Sequence, residues 1–188
     1  MLTAREAIVL LIIALSVAYL AWLYRRRNYV EPNLGRVLLY SASAFLITFL
    51  LQRFARESVS GYCTAMTLGY VALFTFAIIW GPFEGYAAGL GLGLGGFLGN
   101  NLPPYLSVAT IITAVTAGAL IGWITENHRE TSAAIIATIL GSVLIFSGES
   151  VPLWAHGKDP IHCLEPLATS LITGILAASL ASYFVSSK

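Results

Sequence analysis

Long apolar runs, separated by short polar stretches, dominate the pattern of hydrophobic and polar positions along the chain. The runs lack the period-two alternation of a membrane β-strand, so they predict helices. A helix needs about 20 residues to cross a bilayer. The predicted fold is all-α, a polytopic membrane helix bundle of about seven transmembrane segments, with the fourth short and glycine-rich. These segments are Glu6–Tyr24, Arg36–Gln52, Cys63–Trp80, Gly85–Asn100, Leu106–Thr125, Ser132–Gly148 and Cys163–Val185.

Composition supports the same fold class. Of 188 residues, 57% are hydrophobic and 10% are charged, and the mean hydropathy is +0.81. A soluble domain carries about 25% charged residues, so the composition excludes a cytosolic enzyme, a nucleic-acid-binding domain and a disordered chain. The net charge of +1 indicates no polyanionic partner. The first predicted partner is therefore the lipid bilayer, and no nucleic acid is expected.

The first apolar segment is predicted to be a retained helix. It lacks the basic start of a signal peptide, and it ends at Arg25–Arg27 instead of a small-residue cleavage site. The predicted organisation is an N-terminal transmembrane helix with a basic inner loop over residues 1–35, followed by a six-helix membrane core over 36–188.

Basic residues in the short loops indicate the orientation of the chain, because cytoplasmic loops are enriched in Lys and Arg. The cluster of Arg25–Arg27 and Arg36 follows the first segment. It places that loop inside, so the N-terminus is predicted outside and the C-terminus inside a cell membrane. The loop regions 53–62, 100–105 and 149–162 then meet the outside.

Glycines crowd the fourth segment, which follows a predicted tight inner hairpin at Trp80–Tyr86. Several pairs lie four residues apart, a spacing that lets a neighbouring helix approach closely. The positions predicted to serve helix packing are Gly85, Gly89, Gly93, Gly95 and Gly99. The segment either spans the membrane at a tilt or re-enters it while buried in protein. It follows no strand, so it is not a nucleotide-binding loop.

The sequence around this hairpin resembles the S components of energy-coupling factor (ECF) vitamin transporters. The shared features are a helix ending in Gly81-Pro82, a short cytoplasmic turn, and a helix opening with Gly85-x-x-x-Gly89. The resemblance covers about residues 36–186 and leaves the N-terminal helix as an addition. It implies a substrate pocket built from outer loops and outer helix ends. It also implies a vitamin-like small-molecule ligand, a partner transmembrane subunit and partner ATPases.

Most of the reactive side chains of the chain lie in the predicted outer loops. Trp154 offers a stacking surface for an aromatic ring, His156 and Lys158 can meet an anion, and the carboxylates of Glu149 and Glu165 can accept hydrogen bonds. The predicted substrate-binding residues are Asn100, Asn101, Tyr105, Glu149, Trp154, His156, Lys158 and Glu165.

Metal binding and disulfide formation are further possibilities for the outer face. His156, His162 and Cys163 are of the residue types that bind zinc, but their spacing matches no standard motif and there is no His-Glu-x-x-His. No cofactor is predicted. Cys63 and Cys163 are both predicted near the outer surface, where they either form a disulfide or remain as two buried thiols.

Three functions remain open at this point. The first is a substrate-binding membrane subunit of a small-molecule importer, powered by partner ATPases. The second is a non-catalytic integral subunit of a larger membrane complex, respiratory or secretory. The third is a membrane enzyme with a metal in the 149–165 region. No catalytic residue is predicted, because the chain has no Gly-x-Ser-x-Gly, no Walker motif and no paired carboxylates at helical spacing within a span.

Overall fold

A computed structural model describes the backbone at residues 33–54, 59–99, 104–128, 130–155, 171–172, 174–176 and 178–179. Side chains are described for 33–53, 68–99, 108–128, 130–148 and the same positions between 171 and 179. Every element within these residues is helical, which confirms the all-α prediction. The helices are α1 (Leu34–Phe54), α2 (Val59–Trp80), α3 (Pro82–Gly99), α4 (Pro104–Asn127) and α5 (Thr131–Ala155).

Three stretches of these helices are long and apolar enough to cross a membrane: Leu34–Arg53, Val108–Asn127 and Thr131–Gly148. They overlap the second, fifth and sixth predicted segments. The first predicted segment and most of the seventh lie outside the described residues, so the count of seven and the orientation remain predictions. The same is true of the division into an N-terminal helix and a core.

Local signals explain where two of the helices begin. The Asn33 side chain caps α1, because its Oδ1 accepts a hydrogen bond from the backbone N–H of Arg36 at 3.2 Å. Pro104 opens α4, where a missing N–H costs nothing and the fixed φ suits a helix. These signals move both starts two residues upstream of the predicted positions at Arg36 and Leu106.

The hairpin between α2 and α3 is shorter than the predicted turn at Trp80–Tyr86. Gly81 alone is non-helical, with φ at 105°, a value that side chains rarely tolerate. Its carbonyl accepts the N–H of Gly85 at 3.0 Å, so α3 begins immediately at Pro82. Glu84, predicted in the inner loop, therefore lies in the first turn of α3, where it is 7% exposed.

The glycine-rich helix α3 occupies the centre of the bundle. It packs against α1 and α4 most extensively and also contacts α2. It is one continuous helix of 18 residues, about 27 Å long at 1.5 Å per residue. Because neighbours cover it on three sides, most of its residues are buried, whereas leucines on α1 and isoleucines on α5 are exposed. Exposed apolar side chains of this kind fit a lipid environment.

A second layer of packing joins α2, α4 and α5. Phe74 and Leu73 of α2 are fully buried, as are Ile121 of α4 and Ala137 of α5. Gly174, on the helical stretch after α5, lies beside the Phe74 ring and Thr138. The core of the described residues therefore lies among α2, α3, α4 and α5, and α1 contributes Ala44 to it.

Candidate functional site

The predicted substrate-binding residues fall at one end of the described helices or beyond it. Asn100, Asn101, His156, Lys158 and Glu165 lie outside the described residues. Tyr105, Glu149 and Trp154 lie on helices, although their side chains are not described.

The predicted outer loop at 149–162 begins later in the structure than the sequence suggested. Helix α5 continues past Gly148 to Ala155, so Glu149 and Trp154 are helical residues rather than loop residues. The apolar run ends at Gly148, but a helix does not have to end with its apolar run. Trp154 is accordingly near the carboxyl end of α5.

Close contacts between helices establish which helix ends come together. Gly95 of α3 lies against Phe45 of α1, and Gly99 lies against Gln52, so α1 and α3 are parallel. Gly148 of α5 lies against Thr113 of α4 and Gly141 against Ile121, so α4 and α5 are antiparallel.

The carboxyl ends of α1, α3 and α5 and the amino ends of α2 and α4 therefore meet at one end of the bundle. We call this the loop end; in the predicted orientation it faces outside. The backbone positions of Tyr105 and Trp154 both lie there.

One glycine face of α3 packs against α4. A Cβ added to Gly89 would lie 2.5 Å from the Ala114 carbonyl oxygen, and one added to Gly93 would lie 2.7 Å from the Ile111 Cα. Real Cβ atoms essentially never approach another heavy atom so closely. One helical turn further from the loop end, a Cβ added to Gly85 would collide with the backbone of Gly118 on α4. The two backbones are therefore in direct contact along this face.

A second glycine face of α3 packs against α1. It consists of Gly91, Gly95 and Gly99, whose added Cβ atoms would collide with Ser41, Phe45 and Gln52 in turn. Gly85 and Gly91 are six residues apart, which turns the second face by about 120° from the first at 3.6 residues per turn. Helix α3 therefore lies between α1 and α4, and the surface that it presents to each helix is formed by glycines. The predicted packing glycines belong to these two faces.

Buried polar side chains are the other feature of the bundle interior. They are Thr48, Gln52, Glu84, Thr110, Thr113, Thr116, Thr125, Thr138 and Ser142. Most are hydroxyl residues, and a helix can satisfy a hydroxyl from its own backbone carbonyls. Thr113, Thr116 and Thr125 do so, donating to the carbonyl four residues earlier at 2.8, 2.7 and 2.9 Å.

Thr48 differs from these threonines. Its side chain is 0% exposed, yet its Oγ1 has no hydrogen-bond partner among the described residues. The hydroxyl points toward α2, where it lies 3.0 Å from the position of a Cβ built on Gly69. Gln52, one turn nearer the loop end, is 2% exposed and packs with its Cβ against Gly99. Neither residue was predicted as a site residue from the sequence, which shows only two polar residues four apart in an apolar span.

An aromatic cluster lies at the opposite end of α1 and α2. The Tyr40 ring centroid lies 4.6 Å from that of Phe76 and 4.5 Å from that of Trp80. Arg36 and Glu84 are close enough to interact electrostatically with Tyr40. Rings and charges of this kind are typical of a membrane–water interface.

The side chains predicted for a metal site or a disulfide lie outside the described side chains. His156, His162 and Cys163 lie outside the described residues, and the Cys63 side chain on α2 is not described. Within the described part of the chain, no three His, Cys, Asp or Glu side chains gather in a group that could hold a metal ion.

Replacing Thr48 with valine is expected to stabilise the protein. Valine has the shape of threonine without the hydroxyl, and a buried polar group without a partner costs about 1–3 kcal/mol. We expect a gain of about 1 kcal/mol, which raises the melting temperature by about 2–4 °C. Thermal unfolding in detergent, followed by tryptophan fluorescence, measures the shift. The matched control is Thr113→Val, which removes a bonded hydroxyl and is expected to lower the melting temperature slightly. A loss of stability in Thr48→Val would contradict the assignment of a costly hydroxyl.

Comparison with known proteins gives little further information. No family model matches the chain, and no solved structure matches it. A protein of Pyrococcus woesei, described as "Uncharacterized protein in gap 3'region", is 24% identical over 106 residues. The matched region covers 56% of this chain and 68% of that relative. At this identity the similarity does not assign a family. In the part of the chain that the structure describes, every element is helical, and three helical stretches are long and apolar enough to cross a membrane.

Proposed function

We propose that this chain is the substrate-binding membrane subunit of a small-molecule importer of the ECF type. It binds a vitamin-like ligand at the outer face, and partner ATPases supply the energy through a transmembrane coupling subunit. The chain itself has no Walker motif, so ATP hydrolysis is assigned to the partners.

The observation that carries this proposal is the convergence of helix ends at the loop end. The carboxyl end of α3 and the amino end of α4 lie there, together with the carboxyl end of α5. The segments that leave these helices contain Asn100, Asn101, His156 and Lys158. Binding residues are often held on loops over a rigid scaffold, and α3, wedged between backbones, supplies such a scaffold.

The short turn at the opposite end also supports the proposal. Gly81 is the only non-helical residue between α2 and α3, and this compact turn matches the Gly-Pro hairpin that the ECF resemblance was based on. Polar segments follow the helices at the loop end, whereas a single glycine closes the α2–α3 hairpin at the opposite end.

Purification of the full-length protein from its native membrane tests the proposal. We expect ATPase subunits and a membrane coupling subunit to co-purify, and mass spectrometry to detect a small molecule released on denaturation. Stoichiometric partners that carry redox cofactors would instead support a structural subunit of a larger complex. Stoichiometric zinc would support a membrane enzyme. Either result would overturn the importer proposal.

Two substitutions at the loop end test the predicted site. Trp154→Ala removes the proposed stacking surface, and Glu165→Gln removes the charge of an acceptor. We expect each variant to lose at least about tenfold of the retained small molecule, which corresponds to one lost contact of about 1.4 kcal/mol. Quantitative mass spectrometry of the purified variants measures the loss. Glu126→Gln, an exposed acid at the far end of α4, is the matched control. Full retention in both test variants would remove these residues from the site.

A further inference from the structure

Two buried polar residues on α1 pack against the second glycine face of α3, which consists of Gly91, Gly95 and Gly99. Thr48 lies against Gly95 and Gln52 lies against Gly99, one helical turn apart and nearest the loop end of the α1–α3 contact. Both are almost completely buried, at 0% and 2% exposure. A polar side chain at membrane depth is costly when it lacks a hydrogen-bond partner.

The orientation of the Thr48 hydroxyl is the second observation. Thr113, Thr116 and Thr125 each bond to their own helix, whereas Thr48 Oγ1 turns into the junction of α1, α2 and α3 without a hydrogen-bond partner among the described residues. The bonding arrangement that α4 uses repeatedly is not made by Thr48, whose hydroxyl lies at this junction, close to Gly69 of α2 and beside Leu92 of α3.

The contact between α1 and α3 is also suited to opening. The α3 side presents Gly91, Gly95 and Gly99, so no α3 side chain at these positions interlocks with α1. The α1 span at Leu34–Arg53 is only 11% buried, against 67% for Val108–Asn127 of α4. Among the described helices α1 also packs on α2, through Tyr40 at the opposite end and at Gly69 beside Thr48. Moving the loop end of α1 away from α3 exposes Thr48 and Gln52 on one wall of a slot whose other wall is bare backbone.

The surroundings define the chemistry that this slot accepts. The described neighbours of the two residues are uncharged: Phe45 and Phe49 on α1, Gly69 on α2 and Leu92 on α3. The threonine hydroxyl can donate or accept, and so can the glutamine amide. A flat, uncharged group with hydrogen-bonding atoms fits this combination, such as an amide or a nitrogen heterocycle.

We infer that Thr48 and Gln52 bind the uncharged, hydrogen-bonding part of the substrate in a crevice that opens between α1 and α3. This inference rests on the proposed function, since it extends the site at the loop end into the membrane. In the closed arrangement of α1 and α3, the Thr48 hydroxyl has no hydrogen-bond partner among the described residues.

Thiol labelling tests the crevice without knowledge of the substrate. Thr48→Cys and Gln52→Cys are made one at a time in the full chain, in a background with Cys63→Ser and Cys163→Ser. The protein is reconstituted into liposomes, and the probe is the membrane-impermeant reagent 2-(trimethylammonium)ethyl methanethiosulfonate. Thr113→Cys is the matched control, because Thr113 is equally buried on the α4 side.

The labelling rates of the three cysteine variants are expected to follow a definite order. Both α1 cysteines should react at least about tenfold faster than the control from the outer side, because thiol reactivity follows exposure. Gln52→Cys, nearer the loop end, should be the faster of the two. Adding Thr48→Val to Gln52→Cys should slow its labelling about fivefold, since removing the unpartnered hydroxyl favours the closed state. This second measurement keeps the test decisive if Thr48→Cys fails to fold.

Two outcomes would overturn the inference: labelling of both α1 cysteines no faster than the control, or labelling from the cytoplasmic side alone. A failure of the crevice can be distinguished from a failure of the proposed importer function. ATPase co-purification without labelling would leave the importer in place and remove the crevice. Labelling without ATPase partners would retain the crevice and reject the importer.

Discussion

Gly85→Ala and Gly118→Ala are each expected to lower the melting temperature of the protein by about 6–12 °C, from a loss of about 3 kcal/mol each. The two glycines mark a point of direct backbone contact between α3 and α4. A Cβ on either one would collide with the carbonyl oxygen of the other. Backbone atoms cannot rotate out of the way as a side chain can, so the helices must separate. That separation also loosens the neighbouring contacts of Gly89 and Gly93.

The double variant provides the sharper test of this contact. Once one methyl group has pushed the helices apart, the second meets less resistance, so the double variant should cost clearly less than the sum of the two single variants. Residues in contact show such coupling, whereas residues more than about 7–10 Å apart are additive. Thermal unfolding of the four proteins in detergent gives the cycle.

Gly35→Ala is the matched control for these substitutions. Gly35 is exposed near the start of α1, and among the described residues an added Cβ meets the capping oxygen of Asn33 at 3.3 Å, not a neighbouring backbone. Alanine favours a helix over glycine by about 1 kcal/mol, so this variant should be neutral or slightly stabilised. If all three alanine variants behaved alike, the proposed backbone contact between α3 and α4 would be refuted.

The apolar runs predicted the helices well, because the apolar character of a run indicates burial and its length indicates the length of the helix. The structure ends α2 at Trp80, as the sequence predicted, and places the start of α5 one residue before the predicted Ser132. The errors are at ends where local chemistry acts. Pro82 starts α3 early, because proline at the first helical position suits a helix that follows a sharp reversal. Helix α5 runs on to Ala155 because a helix can extend beyond its apolar run.

The glycine spacing predicted close packing but not which partner each glycine meets. Gly89 and Gly91 are two residues apart in sequence, yet one faces α4 and the other faces α1. Glycines are spaced four residues apart on both faces, so the tertiary arrangement decides which neighbouring helix each glycine meets. Thr48 was missed for a related reason. Its cost comes from a hydroxyl orientation and from neighbours on two other helices, neither of which a sequence pattern contains.

The two glycine faces also connect the fold to the proposed function. On the α4 side, glycine contacts lie beside a well-buried helix and hold α3 in place. On the α1 side, similar contacts lie beside a span of which only 11% is buried, against 67% for the α4 span. The crevice proposed above requires that the α1 interface separates while the α4 interface stays fixed, so that the subunit can hold its shape while it admits a ligand.

Gly81→Val is expected to destabilise the protein by about 2–3 kcal/mol, or about 4–12 °C in melting temperature. The φ of 105° at Gly81 is a conformation that a β-branched residue essentially does not adopt. The hairpin has no other non-helical residue to absorb the change, so relief requires unwinding the end of α2 or the start of α3. Gly122 of α4 packs directly on the Gly81–Pro82 backbone, so the distortion spreads into that contact.

Tyr86→Val separates this backbone effect from the ordinary cost of valine in a helix. Tyr86 lies on α3 with 42% of its surface exposed, and tyrosine and valine have similar helix propensities. Thermal unfolding of both variants under one detergent condition gives the comparison, and Gly81→Val should show the larger drop by several degrees. Equal drops would mean that the hairpin tolerates a side chain at position 81. The one-residue turn would then not be what holds α2 against α3.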